Sequence, residues 1–403
     1  MPSYPLFRRG TGATFNTKMK RIYSIDIARG LVMIIMALDH TRDLLHTDAL
    51  TQNPTNLATT TPILFFTRWI THLCAPSFVF LSGASAYLSA LRRNDVRASR
   101  QWLFTRGIFL VLLEITLVNF GVWYDIHFRT LLIQVIAAIG FSFIGLGILY
   151  KLPVKTIGVI GLLIIFLHDL LTLLPMVSNP ILQFAGALLF GGGLIKAGGT
   201  TILFGYPILP WMGIMFAGYA VGPLFTMPEE VRKKRLLQIG LTALGLFVLL
   251  RAVNLYGDVA KWSVQKNAVY TFLSFINVSK YPPSLLYTLV MLGILMLFLS
   301  FIEGRANRFT RVVTVYGKVP MFYYLIHWNI IHLLMLAMVF LEGYRADQLV
   351  FGTFQFGRPP GSGISLWMVY LVWLCVVAAL YPLCVWYGKY KTSHPEKRWL
   401  RYL

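Results

Sequence analysis

Long apolar stretches alternate with short polar connections along the whole chain. A run of about 20 apolar residues is needed to cross a hydrocarbon core of roughly 30 Å. Ten stretches reach or approach that length: 24–45, 68–91, 104–123, 129–150, 155–173, 207–225, 236–254, 283–302, 312–341 and 366–388. Each reads as a helix, because a backbone in lipid has to satisfy its own hydrogen bonds. The pattern predicts an all-α, polytopic transmembrane helix bundle of about ten spans. Segment 174–206 breaks the rhythm, since its apolar part from Pro180 to Ile195 is interrupted by Gly191, Gly192 and Gly193. It reads as a re-entrant or interfacial piece. No heptad, solenoid period or low-complexity tract is visible.

The first stretch carries Asp26, Arg29, His40 and Asp43. On a helix from Ser24 to Leu45, Arg29 and His40 share one face, roughly 16 Å apart along the axis. Asp26 precedes Arg29 by three residues and Asp43 follows His40 by three, spacings that bring side chains together. An ionised side chain at mid-membrane costs roughly 2.5–3.5 kcal/mol even on the lenient insertion scale, so this face is expected to look into the protein or a wet cavity.

Composition fits a membrane protein: 57% apolar residues, 13% charged and a mean hydropathy of +0.67, outside the range of soluble domains. A net charge of +21 does not point to nucleic acid, because the basic residues sit between spans and not on a folded soluble module. Most fall on alternate connections: Arg8 to Arg21, Arg92 to Arg106, Lys151 and Lys155, Arg232 to Arg235, Arg305 to Arg311, and Lys389 to Arg401. Arg29 and Lys318 are left within spans. By the positive-inside rule both termini are cytoplasmic, with His40, Asp43 and His46 toward the outer face of an inner (plasma) membrane. The expected organisation is a basic cytoplasmic segment 1–23 leading into a retained signal anchor, a transmembrane domain 24–388 and a basic cytoplasmic tail 389–403. Cys74, Cys375 and Cys384 lie in apolar stretches without metal or disulfide spacing and read as packing residues.

His40 is the residue on the polar face able to exchange a proton near neutral pH, and Asp43 is spaced to hold its ring, making a base and its orienter. A histidine bonded across helices for packing is the bland alternative; three further charged groups on the face favour function. Arg68 and His72 form an i,i+4 pair ahead of a run whose Ala75, Ser82, Gly83 and Ala84 suit close helix packing. Pro76 frees a carbonyl near His72, which suits a site or an ordinary kink. Glu114 needs a proton or a partner, and Arg29 is a candidate partner. Arg251, Asn254, Tyr256 and Asp258, with Lys280 and Tyr281, line an outward pocket or are solvated loop. Tyr323 and His327 share a face, which makes His327 the second catalytic candidate, while His332 is rotated away, disfavouring a two-histidine metal clamp. His40, Asp43 and His46 lack a matching ligand cluster, so no metal is expected.

Ser24-Ile25-Asp26-Ile27-Ala28-Arg29-Gly30, leading into an apolar run that ends in Asp39-His40, resembles the opening of the heparan-alpha-glucosaminide N-acetyltransferase-like bacterial membrane proteins. The arginine and histidine ten intervening residues apart are also similar to the motif of the acyltransferase-3 proteins. Leu73 to Phe78, Tyr206 to Trp211, Asn254 to Asp258, Lys280 to Ser284 and Val319 to His327 extend the resemblance over nearly the whole chain. It implies an acyltransferase that takes an acetyl group from cytosolic acetyl-CoA and delivers it to a sugar or amino-sugar acceptor on the other side. His40 would be general base or acyl carrier, with Asp43 and His327 as catalytic companions. The resemblance puts Arg29, Asp26, Arg68, His72 and Glu114 on the cofactor side, and His46, Arg251, Asn254, Asp258, Lys280 and Tyr281 on the side of a small-molecule or glycan acceptor. One branch of the family has its functional histidine in the first luminal loop, a position that His46 matches only loosely, whereas His40 matches the acyltransferase-3 pattern. The lipid bilayer is the expected partner, and a homodimer is compatible with the sequence. The rival reading is a proton-coupled secondary transporter using Asp26, Arg29, His40 and Glu114; no internal halves of the kind transporters show are visible. A non-catalytic scaffold is a third.

Overall fold

A computed structural model describes residues 22–173 and 179–402. Nearly all of the expected segment 1–23, and residues 174–178 of the interrupted stretch, lie outside the described residues. In chain order the helices are α1 (Tyr23–Leu45), α2 (Pro62–Thr71), α3 (Cys74–Arg93), α4 (Val96–Leu113), α5 (Asn119–Trp123), α6 (Val135–Leu149), α7 (Val154–Leu167), α8 (Pro180–Gly186), α9 (Ile208–Val221), α10 (Glu229–Val253), α11 (Ala268–Ile276), α12 (Leu285–Ile302), α13 (Arg308–Lys318), α14 (Pro320–Leu341) and α15 (Leu366–Ser393). The protein is mostly helical, and each of the ten apolar stretches coincides with one or more of these helices. Among the described residues, eight helical segments are long and apolar enough to cross a membrane by length and composition. Helix α1 is 23 residues long but carries the ionisable face; α6, at 15 residues, is short for a straight crossing.

Three local departures from the sequence pattern have physical causes. The stretch 129–150 opens as strand β1 (Thr130–Ile133) and only then becomes α6. Beyond the short helix α8 the chain makes a hairpin of β2 (Gly193–Ala197) and β3 (Thr200–Phe204), turning on Gly198 and Gly199. Strand β3 is central, antiparallel to β2 and parallel to β1, with Leu131 opposite Ile202 and Leu194 opposite Leu203. An all-α fold is therefore corrected to a helical bundle with a small three-stranded sheet. The stretch 312–341 is not one helix: Pro320 cannot donate a hydrogen bond and biases its predecessor away from the helical region, so the chain breaks at Val319. Lys318, expected within a span, instead ends α13 and is exposed.

Helix α1 is the hub, packed against α2, α3, α12, α13, α14 and α15. Its polar residues can be buried because protein surrounds them on almost every side. Against α13 the two backbones nearly touch: a Cβ on Gly30 would lie 1.9 Å from the carbonyl oxygen of Val313, and one on Gly317 only 1.8 Å from that of Asp26. Between α3 and α9, Gly83 and Gly218 play the same part, as the small-residue run predicts.

Several helix ends rich in charge gather in one place. Tyr23, Arg92, Glu229, Arg305, Arg311 and Lys318 line one large cavity, so the start of α1, the end of α3, the start of α10 and the α12–α13 connection lie together.

Candidate active site

Two cavities lie one after the other along α1. The first, about 640 Å³, is lined by Met36, Asp39, His40 and Asp43 of α1, by Arg68 and Thr71 of α2, by Cys74, Ala75 and Phe78 of α3, by Lys280 and Tyr281 of the loop before α12, and by Tyr324 and Trp328 of α14. Gln134, Phe204 and Tyr206, from the sheet and its edges, complete the wall on another side. The second, about 270 Å³, is lined by Arg29, Ser82, Ser85, Trp102, Arg106 and Lys391 among others. Phe78, Val135 and Tyr324 line both. The two spaces therefore abut across a partition of these three side chains.

His40 is held by α14 and not by Asp43. Its Nδ1 lies 2.7 Å from Nε2 of His327, whose own Nδ1 lies 3.1 Å from the carbonyl oxygen of Tyr323. A carbonyl can only accept, so His327 Nδ1 carries a proton and its Nε2 accepts. His40 Nδ1 must then donate, which leaves His40 Nε2 unprotonated. The Trp328 ring stacks on the His40 ring with centroids 3.9 Å apart, fixing its plane. Sequence spacing did bring His40 and His327 into one candidate set; the structure makes them direct partners.

The carboxylate next to His40 in sequence is the ionic centre. Both oxygens of Asp39 accept from Arg68, and Arg42 reaches Asp39 Oδ1 at 3.1 Å while also pairing with Asp43. Asp43, expected to orient His40, thus faces Arg42. The signal for Asp39 was available as a buried carboxylate with Arg42 three residues on, but its bond to Arg68 crosses between helices and no periodicity shows it. His72 caps α2 at the turn into α3, and its freed carbonyl accepts from the Tyr287 hydroxyl at 2.8 Å.

At the other end, Arg29 pairs with Asp26 at 3.5 Å and bonds Ser85 and the Leu81 carbonyl of α3. Glu114 is not its partner. Glu114 begins a π-helical turn, Glu114–Val118, and its Oε2 accepts from the Ala137 amide at 2.9 Å, at the exposed N–H end of α6. Nearby Asn119 bonds both the carbonyl and the amide of Leu132, tying β1 to the same turn. Arg106 and Lys391, which the charge pattern assigned to topology, join Arg29 around this cavity.

Several acceptor-side candidates position the wall instead of lining it. Arg251 is 1% exposed and donates to the carbonyls of Ala260, Ser274, Phe275 and Asn277. Asp258 accepts from the Ser279 amide and hydroxyl at 2.8 and 2.7 Å and from the Ser284 hydroxyl at 2.8 Å. Asn254 ends α10 in the left-handed region and bonds Trp262. Together they shape the loop that presents Lys280 and Tyr281 to the cavity. His46 lies past the end of α1, bridged through its backbone to Ile364, and does not line the cavity.

A half-buried imidazole thus faces one cavity, and a second, basic cavity lies behind it along the same helix. The family model described as heparan-alpha-glucosaminide N-acetyltransferase, catalytic, matches residues 21–252, more than half of the chain. The chain belongs to that family, and its role is transmembrane acetyltransferase-like. The match runs from α1 into α10 and so includes Arg29, His40 and Arg68; His327, Lys280 and Tyr324 come from the part beyond it. No individually curated protein matches the chain.

Proposed function

We propose that the chain transfers an acetyl group from acetyl-CoA, which approaches the Arg29 cavity, to the hydroxyl or amine of a sugar held in the His40 cavity, with the Arg29 end facing the cytoplasm. Enzymes of the family depend on acetyl-CoA in general. The observation that carries the reading is the tandem arrangement: two cavities meeting at Phe78, Val135 and Tyr324, one with a cluster of cations and the other with an unprotonated imidazole nitrogen.

Arg29, Arg106 and Lys391 would attract the phosphates of the donor, a force stronger in a low-dielectric recess than in water. The narrow cavity behind them suits a slender pantetheine arm better than a nucleotide. As the acceptor oxygen or nitrogen bonds to the thioester carbonyl carbon, His40 Nε2 takes its proton. The tetrahedral intermediate collapses with cleavage of the C–S bond, and the leaving sulfur recovers a proton from His40. The His327 acceptor holds Nδ1–H in place throughout. Asp39, fixed by two guanidiniums beside His40, adds a negative charge that favours the transient imidazolium.

The test is a purified full-length chain with radiolabelled acetyl-CoA and glucosamine as probe acceptor. Transfer is expected, and His40→Ala should lower it by about 10²–10⁴-fold, the usual worth of a general base. Unchanged turnover in that variant, or proton-driven uptake in proteoliposomes without acetyl-CoA, overturns the reading. Arg29→Ala should weaken acetyl-CoA binding more than acceptor binding.

A further inference from the structure

The charges around the His40 cavity do not balance. Asp39 and Asp43 are answered by Arg42 and Arg68 through the contacts described above. Lys280 is a third cation. It is 6% exposed and lines the same cavity. Among the described residues its ammonium makes no hydrogen bond and no ion pair; its nearest recorded contact is the ring of the adjacent Tyr281, 5.0 Å from Nζ to the centroid. Asp39 and Asp43 attract it through space, but two carboxylates facing three cations leave one positive charge over, and a charge held in such a recess calls for an anion. The loop nevertheless is built to keep it there: Asp258 clamps Ser279 and Ser284 on either side, Lys280 bridges to Pro283, and Arg251 gathers the carbonyls leading up to it. A neutral polyol would leave this charge unanswered.

We infer that Lys280 is the anchor for an anionic group, a carboxylate, phosphate or sulfate ester, carried by the acceptor sugar, so that the chain acts on charged glycans. This deepens the transferase reading and rests on it for the word acceptor, but the anion site can be tested without any turnover. The juxtaposition of one unanswered ammonium with the His40 base would fix the sugar by its charged substituent and leave a hydroxyl or amine free to meet Nε2. The aromatic walls of Tyr281, Trp328 and Phe204 give the ring apolar faces to lie against.

Binding to the purified full chain in detergent is measured by calorimetry at fixed ionic strength with four probes: glucose 6-phosphate, glucuronate, glucose and inorganic phosphate. At least one sugar anion should bind about ten- to a hundredfold more tightly than glucose, the range of one charge-assisted hydrogen bond. Lys280→Gln should abolish that preference, and Lys280→Arg, which keeps the charge, should retain most of it and shows that the loop still folds. Equal binding of charged and neutral sugars, or a preference that survives Lys280→Gln, overturns the proposal. Inorganic phosphate binding as tightly as glucose 6-phosphate overturns the assignment to a sugar. Acetyl-CoA binding is titrated separately: if it fails while the Lys280-dependent preference holds, the transferase reading falls and the anion site stands.

Discussion

The tautomer of His40 is set by a chain of three residues that no single helix contains. Tyr323 offers a carbonyl, His327 turns its proton toward it, and His40 is left with Nε2 unprotonated. Replacing His327 with Phe keeps an aromatic ring in place and removes the acceptor, so both tautomers of His40 become available. The expected result is a fall in kcat on the order of 10–100-fold, the range for groups that orient a working imidazole, with KM for acetyl-CoA little changed; steady-state kinetics on the purified variant checks it. His46 behaves differently. Burial lowers its pKa against the opposing pull of Asp48, and Arg42 and Arg358 add to the lowering. An unfolded histidine titrates near ~6.5. Below that pH the unfolded chain binds the proton more readily than the folded one, so His46 makes stability fall as pH drops toward its folded value. In thermal melts between about pH 7 and pH 5, His46→Gln should show a shallower loss, with acetyl transfer at neutral pH retained. Asp39 shows where reading by residue type stops: spacing on one helix selected Asp43 for His40, while Arg68 on another helix drew Asp39 into the centre.

At the scale of elements, α1 works because α13 lets it be central. Gly317→Ala would drive a methyl group into the Asp26 carbonyl, a backbone atom that cannot swing aside. Overpacking of this kind typically costs ~1–3 kcal/mol, and the shift also moves the Asp26–Arg29 turn. A lowered melting temperature with weakened acetyl-CoA binding is expected, measured by thermal shift with and without the donor. The partition is the second element-scale device. Phe78→Ala removes bulk shared by both cavities and opens a path for water to the thioester. Under the transferase reading, release of free CoA in the absence of acceptor should rise, while the fraction of acetyl groups delivered to acceptor falls; a thiol-release assay reads this directly. The apolar periodicity made the helices legible. It did not reveal the sheet, whose strands are only four or five residues long: one takes the start of an apolar stretch, and the other two lie in the glycine-interrupted segment.

For the whole molecule, the clustering of basic helix ends around one cavity and of irregular loops around the other gives the bundle two unlike faces. Reading the basic face as cytoplasmic leads to a simple expectation. In intact cells a membrane-impermeant maleimide should label a cysteine placed at Thr51, beside the His40 cavity, and should label one placed at Arg305 only in inverted vesicles. Labelling in the reverse pattern would turn the donor and acceptor sides around. The charge excess of +21 then has two uses: part holds orientation in the membrane, and part, at Arg29, Arg106 and Lys391, lines a cavity.

By itself the sequence determined that this is a membrane-embedded helical protein, that its first helix carries an inward polar face with Arg29 and His40 on it, and that its family motif begins there. These properties are local or additive: hydropathy sums over a window, and a helix repeats every 3.6 residues. Tertiary structure alone decided which charged groups answer one another. His327 took the place expected of Asp43, Asp39 drew Arg68 across from α2, Glu114 went to the end of α6, and Lys280 was left facing the cavity with no hydrogen bond or ion pair among the described residues. Those pairings depend on distances between helices far apart in sequence, and a periodic pattern carries the direction of a side chain from its own axis but not what stands opposite it.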